Sequence, residues 1–137
     1  MDLGIKDKVA FITGASAGIG LSTAEAFVNE GAKVIICGRN QQKLDDAKKQ
    51  IKQNTGAEVG SFACDTSKFD QVEKTVNEIV KEYKKIDILI NNAGKAQAGG
   101  VVDAKPEDWQ SMIDVKIYSL INTVSYTHLT LPTKEGV

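Results

Sequence analysis

Apolar positions along most of the chain fall into two alternating patterns. Short continuous apolar runs closed by turn residues alternate with longer stretches in which apolar residues return every three or four positions. The runs read as strands buried on both faces, the stretches as helices with one apolar stripe. Val9-Ala10-Phe11-Ile12, ending in Thr13-Gly14, is the first strand. A helix follows over about residues 18–30, with Ile19, Ala24, Phe27 and Val28 inward and Gly31 as its stop. Val34 to Cys37 is the second strand. Asn40 caps the next helix, which carries Leu44, Ala47 and Ile51 and ends near Gly56. Val59 to Cys64 is a weaker third strand. Ser67 then caps a helix with the stripe Phe69, Val72, Val76, Ile79, Val80 and Tyr83. Ile86 to Ile90 is the fourth strand, closed by Asn91-Asn92-Ala93-Gly94. After a loop with Gly99-Gly100, Pro106 takes a first helical position, with Glu107 and Asp108 near the positive helix end. Strands alternating with helices predict βαβ units, a parallel sheet and right-handed crossovers, hence an α/β layer fold.

The pattern changes late in the chain. Of 35 charged residues, 33 lie in positions 1–116, and four of nine threonines fall between Thr123 and Thr133. The helical period decays after Val124, and Thr127 to Pro132 has none. The expected boundary puts a partial domain at 1–124 and an appended, non-native tail at 125–137.

A length of 137 residues sets about one domain. The net charge of −1 supplies no basic footprint for nucleic acid. Cys37 and Cys64 form no Cys-x-x-Cys, which excludes a disulfide scaffold and a zinc ribbon, and both read as small core residues. His128 is the sole histidine and has no partner for a metal site. The longest uncharged run, Ile117 to Thr133, is too polar and too short to span a bilayer, and the N-terminus lacks a signal-peptide apolar region. A cytoplasmic chain with neither membrane nor nucleic-acid partner is the expectation.

Between the first strand and first helix stands Thr13-Gly14-Ala15-Ser16-Ala17-Gly18-Ile19-Gly20, a G-x-x-x-G-x-G turn. Such a turn needs one glycine for the exit from the strand, one for backbone approach to a pyrophosphate and one for close helix packing. The helix start then offers N–H groups and a positive dipole to phosphates. No G-x-x-x-x-G-K-[ST] occurs, which disfavours a P-loop nucleotidase.

With Asp65-Thr66 after the third strand and Asn91-Asn92-Ala93-Gly94 after the fourth, the sequence resembles the short-chain dehydrogenase/reductase family over roughly Lys6 to Val124. The resemblance implies a Rossmann-like doubly wound sheet of order 3-2-1-4, truncated here, with a nicotinamide dinucleotide across the strand ends. Gly14, Ser16, Gly18, Ile19 and Gly20 would face its phosphates. Asp65 would accept from the adenine amino group with Thr66 beside it, and Asn92, Ala93 and Gly94 would line the cofactor. From the residues alone, Asp65 reads equally well as a turn residue at a helix start. An NAD site usually holds an acid at the end of the second strand. Gly38 stands there and Arg39 follows, so a 2′-phosphate meets a guanidinium rather than a carboxylate. NADP(H) is therefore expected over NAD, although Ala17 stands where many NADP-using relatives carry a second basic residue.

The resemblance also implies a Tyr-x-x-x-Lys pair, an upstream Ser and a supporting Asn. Four positions after Tyr83, Tyr118 and Tyr126 stand Asp87, Asn122 and Thr130, so no catalytic pair lies in this sequence. Lys116 takes the place of the Asn, on a face with Trp109, Met112, Ile113 and Leu120. It either reaches the cofactor cleft or snorkels to its rim. The expected parent is a homo-oligomeric oxidoreductase moving hydride between cofactor and a small carbonyl or alcohol substrate. Alternatives are a non-catalytic nucleotide-binding half-domain and the nucleotide-sugar epimerase branch, whose G-x-x-G-x-x-G the turn does not match.

Overall fold

A computed structural model describes residues 2–94 and 102–130, with side chains through Ser125. Gly99-Gly100 and the residues beyond Thr130 lie outside the described residues. Four strands, β1 (Val9–Thr13), β2 (Lys33–Gly38), β3 (Gly60–Ala63) and β4 (Ile88–Ile90), form a parallel sheet of order β3-β2-β1-β4, as expected.

The helices α1 (Gly18–Asn29), α2 (Gln41–Thr55) and α3 (Phe69–Tyr83) are the crossovers. Alternation along the strands splits the core into two layers. Ile12, Val34 and Ile36 pack with Leu21, Ala24, Leu44, Ala47 and Ile51 under α1 and α2. Val9, Phe11, Ile35 and Cys37 pack with Val72, Val76 and Ile79 of α3. Each fully buried aliphatic side chain contributes about 1.5–3 kcal/mol.

The Asn40 cap and Gly56 stop are as read: Asn40 Oδ1 accepts from Lys43 N at 3.0 Å, and Gly56 has φ +78°. Ser67 is not the cap of α3. Lys68 occupies that position, and the Ser67 hydroxyl instead donates to Asp65 Oδ1 at 2.7 Å. Ile19, expected inward, is 80% exposed, because it lies in the first turn of α1, beyond the sheet's reach. Phe69 at the start of α3 is likewise exposed. The strand β4 begins two residues later than expected. Asp87 grips Val9 with both backbone and side chain: its N–H donates to Val9 O at 2.8 Å and its Oδ2 takes the Val9 N–H at 2.9 Å.

The helix α4 (Pro106–Ile113) opens at Pro106 as expected. A π-helical segment (Asp114–Tyr118) then joins it to α5 (Ser119–Thr130). Helix therefore continues past Val124, where the apolar period fades: backbone bonding persists without a stripe to announce it. Among the described residues no helix is long and apolar enough to cross a membrane.

Candidate functional site

The exits of β1 and β4 are fastened together. The Thr13 hydroxyl accepts from the backbone N–H groups of Asn92 and Ala93 at 3.1 and 3.0 Å. Asn92 Nδ2 donates to Gly14 O at 2.9 Å. Gly14 has φ +62°, and a Cβ there would lie 2.7 Å from Ala93 Cα. A Cβ on Gly20 would collide with the Asn92 amide and stand 2.6 Å from Gly14 O. These two glycines therefore permit close packing, while Asn92 props the turn from below.

Gly18 differs. Its φ is +59°, yet nothing lies within 4 Å of where its Cβ would be. It opens α1 behind Ala17, which offers no side-chain acceptor to the first-turn N–H groups. Gly18 and Ile19 are exposed at the positive end of the helix, an arrangement that suits a phosphate.

A cleft of about 190 Å³ lies across the carboxyl ends of the strands. Its walls include Gly14, Ser16, Arg39, Asp65, Thr66, Ala93 and Gly94, bringing seven of the expected site residues together. Gly18 and Ile19 stand in the exposed first turn of α1, and Gly20 and Asn92 support the turn from behind. Gly38 also lines the cleft, with Ser16 Oγ 3.4 Å from where its Cβ would be, so a larger residue there would press on Ser16. Asp65 commits Oδ1 to the Ser67 N–H and hydroxyl, at 3.0 and 2.7 Å. That is the helix-start turn also read for it, and the same residue still borders the cleft.

Cys37 and Cys64 line the cleft as well as belonging to the core. They stand on one face of the sheet, at neighbouring strands. The neighbouring Cys37 thiol, aided by Thr75, brings Cys64 down to about 7 against the opposing effect of burial. The Cys64 thiol together with burial pushes Cys37 well up.

The sequence pattern gave no sign of one wall. The π-helical segment adds a residue to its turn and shifts the phase of the helix beyond it. Of the face read as Trp109, Met112, Ile113, Lys116 and Leu120, only Met112 is half-buried and the other four are exposed. Lys116 is exposed, and Val115, one position earlier, lines the cleft. Among the described side chains of α5, Ser119 and Thr123 are buried. Ser119 Oγ accepts from the Thr66 hydroxyl at 2.8 Å, Asn122 Nδ2 donates to Thr66 O at 3.0 Å, and the Thr123 hydroxyl donates to Asn91 Oδ1 at 2.6 Å. This polar seam ties the loops after β3 and β4 to one helix. Its one sequence signal is the four-residue spacing of Ser119 and Thr123 on a common face. Among the described residues no group of three metal-ligating side chains converges.

Comparison with known proteins adds independent evidence. Residues 8–136 match the family model described as short chain dehydrogenase. A 3-dehydrosphinganine reductase of Arabidopsis thaliana is 42% identical over 120 residues, covering 88% of this chain and 36% of its own length. The crystal structure of L-sorbose reductase from Gluconobacter frateurii, complexed with NADPH and L-sorbose, superposes with a TM-score of 0.84 at 33% identity. That match covers 93% of this chain and 48% of the other. NAD+-bound xylitol dehydrogenase superposes with a TM-score of 0.84 at 29% identity, covering 90% of this chain and 47% of the other. The chain spans about half the length, or less, of the curated relatives it matches.

Proposed function

The chain belongs to the short-chain dehydrogenase family, and on that premise we propose that residues 1–124 are the cofactor-binding part of an NADP(H)-dependent oxidoreductase. The parent enzyme would interconvert a small carbonyl compound and its alcohol. The bound dinucleotide supplies or accepts the hydride. The residues of this chain bind and orient it. The α1 N-terminus with Gly18 and Ile19 takes the pyrophosphate, Asp65 and Thr66 border the adenine, and Ala93 and Gly94 carry the middle of the cofactor. No Tyr-x-x-x-Lys lies in these residues, so the proton relay to substrate is outside them and the stretch binds without turnover.

The observation that carries the cofactor choice is the end of β2. Gly38 offers no carboxylate to repel a 2′-phosphate, and Arg39 borders the same cleft as Ser16. An NADPH complex in one similar structure and an NAD+ complex in another leave this local chemistry as the discriminating evidence.

The test is a titration of Arg39→Ala with both reduced cofactors. Loss of a charge-assisted contact is worth about 1.5–3 kcal/mol. NADPH affinity should fall about tenfold to a hundredfold, with NADH nearly unchanged. Equal loss for both cofactors removes Arg39 from this role. A companion variant, Gly18→Val, puts a branched Cβ into the phosphate space at positive φ. It should abolish binding of both cofactors while the circular dichroism spectrum stays native.

A further inference from the structure

The thiols at the bottom of the cleft have no part in that reading. The β2–β3 ladder pairs Cys37 with Phe62 and Gly38 with Ala63. Paired residues share a face and every second residue returns to it, so Cys64 stands on the same face as Cys37, one strand over. Both side chains are buried in one cluster with Val72 and Val76 of α3 and border the cleft. The strand β3 ends at Ala63, so Cys64 lies past the ladder, tied back by its N–H to Gly38 O at 2.8 Å. Two thiols on one sheet face, in one buried cluster and on one cleft wall, with one of them beyond the regular sheet, are placed to meet.

We propose that Cys37 and Cys64 are a redox pair that closes to a disulfide on exposure to a peroxide, and that this disulfide and the dinucleotide exclude one another. The exclusion rests on the cofactor reading above; the disulfide does not. Cys64 is the attacking sulfur, since the neighbouring Cys37 S–H and Thr75 hydroxyl favour its thiolate. The thiolate attacks one peroxide oxygen, the O–O bond breaks, and the departing hydroxide takes a proton to leave as water. Cys64 is then a sulfenic acid. The Cys37 thiol attacks that sulfur and gives up its proton, the S–O bond breaks, and a second water leaves. The two sulfurs together lose two electrons and the peroxide gains them. A dithiol reverses the change. A sulfur–sulfur bond of about 2 Å draws the end of β2 toward Cys64, beneath Arg39 on one side and Asp65 on the other. These are the walls that the ribose phosphate and adenine would use. Linkage makes the effect reciprocal: what the disulfide does to cofactor affinity, the cofactor does to disulfide formation.

The test uses the full chain, hydrogen peroxide as oxidant and NADP+ as ligand. Non-reducing peptide mapping should show Cys37 joined to Cys64, released by dithiothreitol. NADP+ affinity should fall about tenfold or more on oxidation, and saturating NADP+ should slow the oxidation. Cys37→Ser and Cys64→Ser should each have the same NADP+ affinity before and after peroxide, whatever that affinity is. Sulfinic acid or intermolecular products in place of the Cys37–Cys64 link overturn the pair, and undiminished affinity in the linked protein overturns the exclusion. A reduced, folded chain that forms the link and binds no dinucleotide overturns the function proposed above while supporting the pair.

Discussion

The segment from β1 through α2 and the segment from β4 through α5 are similarly rich in apolar side chains, yet they use them differently. Every residue of β1 is buried, and α2 buries Leu44, Ala47 and Ile51 completely or nearly so. In β4 all three residues are only half-buried, α4 buries none, and Ile117, Leu120 and Ile121 are each about half-exposed. Among its described side chains, α5 buries hydroxyls: Ser119 and Thr123. The first segment is held by close-packed hydrocarbon. Hydrogen bonds to Thr66 and Asn91 orient the second. Apolar content therefore does not measure burial; a facing partner does.

The contrast breaks most sharply at Phe11. Phe11→Ala removes a fully buried ring between β2 and α3 and should cost about 3–5 kcal/mol, read as a lowered urea midpoint. If the ring can be removed at a fraction of that cost, the first segment is not the packed one. Next comes Thr123→Val, which deletes the hydroxyl joining α5 to Asn91 and keeps the volume. A loss of about 1 kcal/mol, with faster hydrogen exchange at residues 91–94, is expected. A neutral outcome would mean that the polar seam does not orient α5.

Asp87 sharpens the comparison at the join of the two segments. Burial pushes its carboxyl up, but the Val9 N–H and the Lys85 ammonium outweigh this and hold it below its ordinary value. A carboxylate so depressed adds stability above its unfolded value of about 3.9 and loses that contribution as pH falls below it. Asp87→Asn should therefore lower stability at neutral pH and flatten the stability profile below about pH 4. An acid limb identical to that of the parent chain would mean that the Asp87 carboxylate does not help to join β1 to β4. The smallest effect belongs to Ile117→Ala, within about 0.5 kcal/mol by the same urea assay. A cost near that of Phe11→Ala would erase the difference between the segments.

Legibility in the sequence divides along the same line. The strands β1 and β2, the caps at Asn40 and Gly56, and the order of the sheet are readable because burial on both faces, or on one stripe, leaves a period. Ile19 and Phe69 mislead for a physical reason: each has the right spacing but stands in a first turn that overshoots the sheet. The cap of α3 misleads because Ser67 turns its hydroxyl to Asp65 instead of a helix N–H. The π-helical segment is unreadable, since an added residue in one turn changes no residue type. Ser119, Thr123 and Val115 escape because hydropathy cannot foresee a buried hydroxyl or a phase shift. The glycines are legible by type, but only the fold separates their roles. Gly14 and Gly20 serve packing, and Gly18 leaves space.

The Thr13 hydroxyl has a consequence for the order in which this molecule assembles. The two N–H groups it receives come from residues 79 and 80 positions further along the chain. Closing so long a loop is entropically costly and slow compared with forming the neighbouring β1–β2 unit. Until β4 arrives, Gly14 has no Ala93 to press against and Asn92 cannot brace the turn. A nascent chain that has made β1, α1 and β2 thus carries every glycine of the turn and still has no finished pocket. Under the proposed function, ligand would capture only chains in which the sheet has closed, and the cofactor-binding rate after refolding would be a clock for the last strand.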